Sequence, residues 1–382
     1  MALWEKHADQ HTARRPWSDG AVGKAIRDTG DAVMGRYDMD WLTLEIEEAQ
    51  AWHRARVDRL YAGDELDSVV AIAGPLFGPY HPLIGTTEID MLEEPEAWFD
   101  SVVGHMAESA TRLASRATFV PLAVELDPLG VHFIDALLGA KTYFHEGQAW
   151  SDQLECEVAD LEMPDLDASP ILRKALDLAK FVVEAGDGRL LISTPVLSCA
   201  INTAINILGE RFLEVLAIEP GVAMRALRII NDVLVAVTEA FFEVISTDVR
   251  RNSAAFSRYA PAGFGQVDGC ATQLVSAAHY CAFLADLDSE LLSVSPHGGM
   301  IHLCGTHEHH IPAFREMDRL RSVQINDRAT DGLAEFVEGL REDQILYITP
   351  TEATSVEDIM DLTDGRRIVL QAYLEEPLSI RC

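Results

Sequence analysis

From residue 65 onward, short runs of β-branched and apolar residues alternate with amphipathic segments of helical length. This alternation is typical of repeated βα units that build a parallel sheet. Several runs are apolar without interruption, as expected for strands that helices cover on both faces. Eight parallel strands can close a barrel, so we predict an α/β fold with a single (β/α)8 barrel of the TIM type over residues 65–382. The predicted strands are Val69–Ala73, Val120–Leu126, Leu190–Thr194, Ala254–Tyr259, Met300–Cys304, Val323–Asn326, Ile345–Thr349 and Ile368–Tyr373.

Three helices have clear sequence patterns. Between Pro220 and Ile245, apolar residues recur at steps of three and four, which predicts a helix that buries one face against a sheet. The other two predicted helices are Pro170–Ala185 and Ser276–Leu292. Residues 1–64 also have a helical pattern, and we predict that they form a helical extension before the barrel.

The chain is strongly acidic, with 30 Lys and Arg against 62 Asp and Glu and a formal net charge of −32. Such a surface repels phosphate backbones and anionic lipid headgroups, so we expect neither a nucleic-acid nor a membrane partner. The first twenty residues lack the apolar core of a secretory signal, and no apolar run is long enough for a membrane span. The six irregularly spaced cysteines do not form a disulfide framework. These features favour a cytoplasmic location.

The segment HGGMIHLCGTHEHH carries the strongest chemical signal in the sequence. His302 and Cys304 are two residues apart at the end of a predicted strand, so their side chains point to the same face. In an α/β barrel this strand end lies at the C-terminal rim, where active sites are built. An imidazole and a thiolate that converge there suit zinc. The alternative is a buried histidine and a small apolar cysteine that only pack.

The run SVSPHGGMIHLCGTHEHHIPAFREMDRLRSVQIND resembles the uroporphyrinogen decarboxylase superfamily, in the branch of zinc-dependent, corrinoid-linked methyltransferases. The upstream segments LLISTPVLSCAINTAINILGERFLEVLAIEP and GFGQVDGCATQLVSAAHYCAFLADLDSELL are similar to strand, loop and helix elements of the same family, so that the resemblance spans residues 65–373. It implies that His302 and Cys304 are zinc ligands. It also places Asp268, in GQVDGC, at the acidic strand-end position of the family, where a carboxylate orients a substrate or accepts a proton. A turn-forming aspartate before Gly269 is the alternative for Asp268.

A third zinc ligand is also implied by the resemblance, as a cysteine in the loop after the last strand. That strand, RRIVLQAYLEE, has no cysteine at the matching place, and Cys382 is the nearest substitute. Glu375 and His307 are alternative third ligands. Cys199 and Cys270 follow other predicted strands, and we interpret them as small core residues.

The substrate is expected to be a small molecule, with contacts predicted at Thr194, His307 and Gln371. True uroporphyrinogen decarboxylases hold their many carboxylates with an arginine-rich motif, and the matching segment AGPLFGPYHPLIG has no arginine. We therefore predict a zinc-dependent methyltransferase whose methyl donor is a methylcorrinoid on a partner protein, or an enzyme that runs the reverse demethylation. A metal-free decarboxylase or lyase is the alternative, and a non-enzymatic binding protein is the third reading. A homodimer is a further expectation.

Overall fold

A computed structural model describes residues 37–73, 89–145, 148–251, 258–365 and 367–372. The strands of these residues are β1 (Val70–Ala73), β2 (Ala123–Glu125), β3 (Thr142–His145), β4 (Gln148–Ser151), β5 (Leu191–Ser193), β6 (Gly265–Asp268), β7 (Gly299–Cys304), β8 (Leu320–Asn326), β9 (Ile345–Ile348) and β10 (Ile368–Ala372). Six of them form one sheet in the spatial order β1-β10-β9-β8-β7-β6, and every neighbouring pair in it is parallel. The prediction of an α/β fold with a parallel sheet is therefore confirmed.

A second parallel sheet consists of β2 and β5, and β3 pairs with β4 in an antiparallel hairpin. Isolated parallel bridges link the two parallel sheets on both sides. Ile72 of β1 pairs with Phe119, which precedes β2, and Ser198, which follows β5, pairs with Asp268 of β6. The described ladders are thus a six-stranded and a two-stranded sheet joined by single bridges, and closure into one barrel stays a prediction.

The sequence analysis missed both strands of the β3–β4 hairpin and one strand of the parallel sheets. The missed parallel strand is β6, whose sequence GQVD contains a single β-branched residue and so has weak strand propensity. The strand predicted at Ala254–Tyr259 falls mostly outside the described residues, and Arg258 and Tyr259 are not in a strand. Each of the other predicted strands overlaps an observed one.

Helices surround the sheets. They are α1 (Leu44–Ala62), α2 (Pro95–Glu108), α3 (Ala110–Leu113), α4 (Phe133–Leu137), α5 (Pro170–Gly186), α6 (Ala200–Leu208), α7 (Arg211–Ile218), α8 (Pro220–Val244), α9 (Ala277–His279), α10 (Ala285–Ser293), α11 (Ile311–Glu316), α12 (Leu333–Gly339) and α13 (Val356–Thr363), with a π turn at Tyr280–Leu284 and 3₁₀ turns at Gly130–His132, Val158–Asp160, Cys270–Leu274, Glu308–His310 and Asp327–Gly332. The three predicted helices are confirmed as α8, α5 and the continuous segment from α9 to α10. Among the described helices, none is both long and apolar enough to cross a membrane.

The predicted helical extension, residues 1–64, is described only from residue 37, and its described part contains α1. Gln50 of α1 is buried and binds the segment before β2, donating to the carbonyl of Val120 at 2.8 Å and accepting from the N–H of Leu122 at 3.2 Å. At the other end of α1, the Tyr61 hydroxyl lies 3.0 Å from the Ser322 hydroxyl. This helix is therefore hydrogen-bonded to the segment that leads into β2 and to β8 of the six-stranded sheet.

Two groups of apolar side chains fill the interior. The larger group lies between the sheets and the helices. The smaller group combines one face of many strands with the last turns of α1, and its strand members are Val70, Ile72, Ala123, Leu191, Met300, Ile345, Tyr347 and Val369. Side chains alternate along a strand, so the residue two positions after each of these members points to the same interior.

Candidate metal centre

The polar residues of the candidate site lie at the carboxyl ends of the strands, on the same face as the smaller apolar group. Met300, His302 and Cys304 alternate along β7 and share one face. In the register of the sheet, His302 is opposite Asp268 of β6 on one side and Gln324 of β8 on the other. Because the strands are parallel, these side chains meet at a single edge of the sheet.

The imidazole of His302 is buried and held in one orientation. Its Nδ1 donates to Oε1 of Gln324, an atom that can only accept, so the lone pair of the neutral imidazole is on Nε2. The Gln324 amide is in turn fixed, because its Nε2 donates to Gln371 Oε1 at 2.7 Å and to Thr349 Oγ1 at 3.3 Å. This network leaves His302 Nε2 available as a metal ligand, as outer hydrogen bonds do for ligating histidines.

Three side chains bring potential metal-binding atoms together. Cys304 Sγ lies 3.0 Å from His302 Nε2, as the spacing of the two residues predicts. Cys270 completes the group, and the three ligand atoms all lie within 4.8 Å of one another. Cys270 is half-buried rather than part of the core, so its interpretation as a core residue is wrong, whereas Cys199 is fully buried.

The turn after β6 places Cys270 beside β7. Gly269 N–H donates to the carbonyl of His302 at 2.8 Å, which draws the 3₁₀ turn that starts at Cys270 against the neighbouring strand. A Cβ at position 269 would lie 2.7 Å from Cδ1 of Ile301, so any larger residue would force the Ile301 side chain to move. In the sequence, the Gly269–Cys270 pair directly after Asp268 is the feature that could have indicated this turn.

The two thiols influence each other strongly. A hydrogen bond between Cys270 and Cys304 lowers the pKa of the Cys304 thiol well below its usual value, and the adjacent His302 lowers it further against the opposing effect of burial. The same hydrogen bond, together with burial and the negative charge of Asp268, raises the pKa of Cys270. Cys304 is thus the cysteine of the pair that ionises first. A bound cation would favour loss of the Cys270 proton as well.

Asp268, the predicted catalytic residue, forms a buried ion pair with the guanidinium of Arg258. Its backbone N–H donates to the carbonyl of Leu197 at 2.9 Å, and its carbonyl accepts from Cys199 N–H at 2.8 Å, so the end of β6 is held against the segment after β5. Its role in catalysis remains a prediction.

The other predicted site residues are in several places. Gln371 belongs to the hydrogen-bond network of Gln324, and Thr194 is half-buried after β5. His307 is buried outside the metal-binding group, with its Nδ1 3.1 Å from the carbonyl of Gly305, and burial lowers its pKa. Cys382 and Glu375 lie outside the described residues, as does most of AGPLFGPYHPLIG.

The donor set fits a metal ion. Around tetrahedral zinc, bond lengths of about 2.0–2.3 Å place neighbouring ligand atoms roughly 3.3–3.8 Å apart, a spacing that this cluster can adopt. Two sulfur atoms and one imidazole nitrogen also match the preference of zinc, and three protein ligands leave a fourth position for a substrate.

Comparisons with known proteins support the fold. The structure is similar to that of a methyltransferase from Methanosarcina mazei, with a TM-score of 0.55 and 12% sequence identity over 86% of this chain and 94% of that one. No protein-family model matches the sequence, and no curated protein sequence matches it. At this identity the structural likeness establishes a shared fold.

Proposed function

We propose that this protein is a zinc-dependent methyltransferase that acts on a small molecule. The observation that carries the proposal is the convergence of Cys270, His302 and Cys304 at the carboxyl edge of a parallel sheet. The similar fold of a solved methyltransferase supports the same class of activity. Zinc at this position would supply a Lewis acid that lowers the pKa of a substrate thiol or hydroxyl and makes it nucleophilic.

The residues of this chain have separate tasks in the proposal. His302 and Cys304 hold the metal, and Gln324 orients His302 through Nδ1. Cys270 is the third ligand that the geometry favours, while Cys382 is the third ligand that the family resemblance implies. Asp268, neutralised by Arg258, orients the bound substrate. A corrinoid on a partner protein would supply the methyl group or, in demethylation, accept it.

We further propose that the parallel strands close one (β/α)8 barrel of the uroporphyrinogen decarboxylase superfamily over residues 65–382. Two observations support closure. The smaller apolar group takes members from β1, β2, β5, β7, β9 and β10, as residues inside a barrel would. The isolated bridges join β1 to the segment before β2 and the segment after β5 to β6, which are the two places where a ring of strands would otherwise be open.

A methyl-transfer assay tests the activity. The zinc-loaded protein is mixed with free methylcobalamin and a panel of small thiols, and demethylation of the cobalamin is followed by its absorbance. We expect zinc-dependent transfer to at least one thiol, and we expect Cys304→Ser to abolish it because the variant loses a thiolate ligand.

The reverse direction is assayed in parallel with reduced cobalamin and methylated thiols or methoxylated aromatics. Binding of the thiols is also measured through spectral changes of the cobalt(II)-substituted protein. A metal-loaded protein that binds no thiol and transfers methyl groups in neither direction would support the metal-free decarboxylase or the binding protein instead.

A further inference from the structure

Two thiols of the metal-binding group lie side by side on neighbouring chain segments. Cys270 and Cys304 are hydrogen-bonded to each other, and their sulfur atoms lie within 4.8 Å. Asp268 and His302, each two residues earlier, are partners in the parallel pairing of β6 with β7. The hydrogen bond from Gly269 N–H to the carbonyl of His302 continues that pairing. The two cysteines therefore follow directly from a pair of opposed backbone positions.

This arrangement suits a disulfide. Adjacent strands lie about 4.7–4.9 Å apart, and a disulfide joins residues whose Cα atoms are about 4.4–6.8 Å apart. Cys304 is the last residue of β7 and Cys270 is the first residue of a 3₁₀ turn, so both thiols are at the ends of their segments. Side-chain rotation with a small movement of the turn can therefore bring the sulfur atoms from hydrogen-bonding contact to a bond of about 2.05 Å.

The surroundings of Cys270 and Cys304 differ from those of other cysteines. Both residues are partly exposed, so a small oxidant or reductant can reach the pair. Cys199, in contrast, is fully buried, and its thiol donates to Oδ1 of Asn202 at 3.2 Å. Cys281 is exposed and lies in the π turn, outside the metal-binding group. Access and proximity thus coincide at Cys270 and Cys304.

A metal ion and a disulfide compete for the same two sulfur atoms. The thiolate is the form of cysteine that binds a metal, and a sulfur atom in a disulfide no longer carries that charge. A disulfide would remove two of the three donor atoms of the group and leave only the imidazole of His302. Thiolates held by zinc, in turn, stay roughly 3.3–3.8 Å apart and cannot bond to each other. The two states therefore exclude each other.

We propose that Cys270 and Cys304 form a reversible disulfide in the metal-free protein, so that oxidation closes the metal site and reduction opens it. The oxidant is a small-molecule disulfide. One cysteine thiolate attacks a sulfur atom of the oxidant and releases its other half, and the second cysteine thiolate then displaces the remaining half. Two protein thiols are thereby oxidised, and the oxidant is reduced to two thiols that take up the two protons.

The consequence of this switch for methyl transfer rests on the proposed function. The disulfide itself requires neither zinc nor a substrate, so it can be measured on its own. Oxidised glutathione is incubated with the full-length, metal-free protein. The remaining thiols are then alkylated and counted by mass spectrometry, and peptide mapping locates any disulfide.

We expect the loss of two thiols per chain, a peptide that links Cys270 to Cys304, and full recovery of both thiols with dithiothreitol. Zinc binding, measured by competition with a chromophoric chelator, should fall from one ion per chain to none in the oxidised protein and return on reduction. Prior loading with zinc should slow the oxidation, because only the metal-free chain reacts. At a free zinc concentration of about ten times Kd, the rate of thiol loss should fall roughly ten-fold.

Cys281→Ser is the matched control, because Cys281 is an exposed cysteine outside the group. This variant should form the same disulfide at the same rate as the unaltered protein. Cys270→Ser should leave Cys304 able to form only a mixed disulfide with glutathione. Thermal unfolding of each variant verifies that it is folded before its thiols are counted.

The outcomes separate this inference from the proposed function. If Cys270 and Cys304 stay free, carry only mixed disulfides or pair with Cys382, the inference is overturned, and zinc binding and methyl transfer are left intact. A disulfide between them in a protein that still binds zinc one-to-one would also overturn it, because the site would not be closed. A disulfide that excludes zinc, in a protein that transfers no methyl group after reduction and zinc loading, would support the inference and refute the proposed function.

Discussion

Replacing Gln324 by leucine tests whether the hydrogen bond to His302 controls the metal site. Gln324 is fully buried, so its amide is not solvated in the folded protein. The substitution leaves His302 Nδ1–H without its acceptor and removes the donor to Gln371 Oε1. His302 can then adopt the tautomer whose proton is on Nε2, the atom nearest Cys304, and this tautomer has no lone pair for a metal at that position.

The expected magnitude follows from these contacts. Loss of an outer hydrogen bond to a ligating histidine typically reduces metal affinity about 10- to 100-fold, or roughly 1.4–2.7 kcal/mol. The buried groups that lose partners also destabilise the fold by about 1–3 kcal/mol each. Gln324→Glu keeps an acceptor for Nδ1–H, so it should retain metal affinity better than the leucine variant even though its buried carboxylate lowers stability.

Zinc affinity is measured by competition with a chromophoric chelator, and stability by denaturant unfolding. Gln344→Leu is the matched control, because Gln344 is also buried and donates to the carbonyls of Phe314 and Leu320, away from the metal-binding group. It should lower stability and leave zinc affinity unchanged. If folded Gln324→Leu protein bound zinc within about two-fold of the unaltered protein, the orienting role of Gln324 would be refuted.

Two further predictions concern stability. Burial raises the pKa of Asp288 from 3.8 to about 7, and the hydrogen bond from Tyr280 opposes this only in part. The folded state therefore holds this proton more tightly than the unfolded state, and stability is lost as the pH rises from about 4 to 7, by up to about 4 kcal/mol. Asp288→Asn should remove that loss in urea unfolding at pH 4 and pH 7, and an equal pH dependence in both proteins would refute the assignment. Gly305→Ala should destabilise by about 1–3 kcal/mol in the same assay, because φ is +84° and the new Cβ would clash with the Gln273 side chain, and unchanged stability would contradict this.

The local parts of the site could be predicted from the sequence. His302 and Cys304 share a strand, so their spacing alone predicts that they converge, and their 3.0 Å separation agrees. The long helix α8 could be predicted as well, because its apolar residues repeat over many turns.

The contacts between distant segments could not be predicted in the same way. Cys270 reaches Cys304 only because β6 pairs with β7, and β6 itself has a sequence with weak strand propensity. The ion pair between Arg258 and Asp268 spans a turn whose sequence has no charge pattern that would indicate it.

The central claim is that Cys270, His302 and Cys304 form one metal site, and cobalt(II) titration of the metal-free protein tests it most directly. The near-ultraviolet absorption of cobalt(II) bound to thiolates increases with the number of thiolates, so it counts the sulfur ligands. We expect one ion per chain, displaced by zinc, with the band reduced and affinity lost in both Cys270→Ser and Cys304→Ser. A Cys382→Ser variant that weakens binding while Cys270→Ser does not would assign the third ligand to Cys382. Binding that none of these substitutions alters, or that is no stronger than binding to the denatured chain, would contradict the claim.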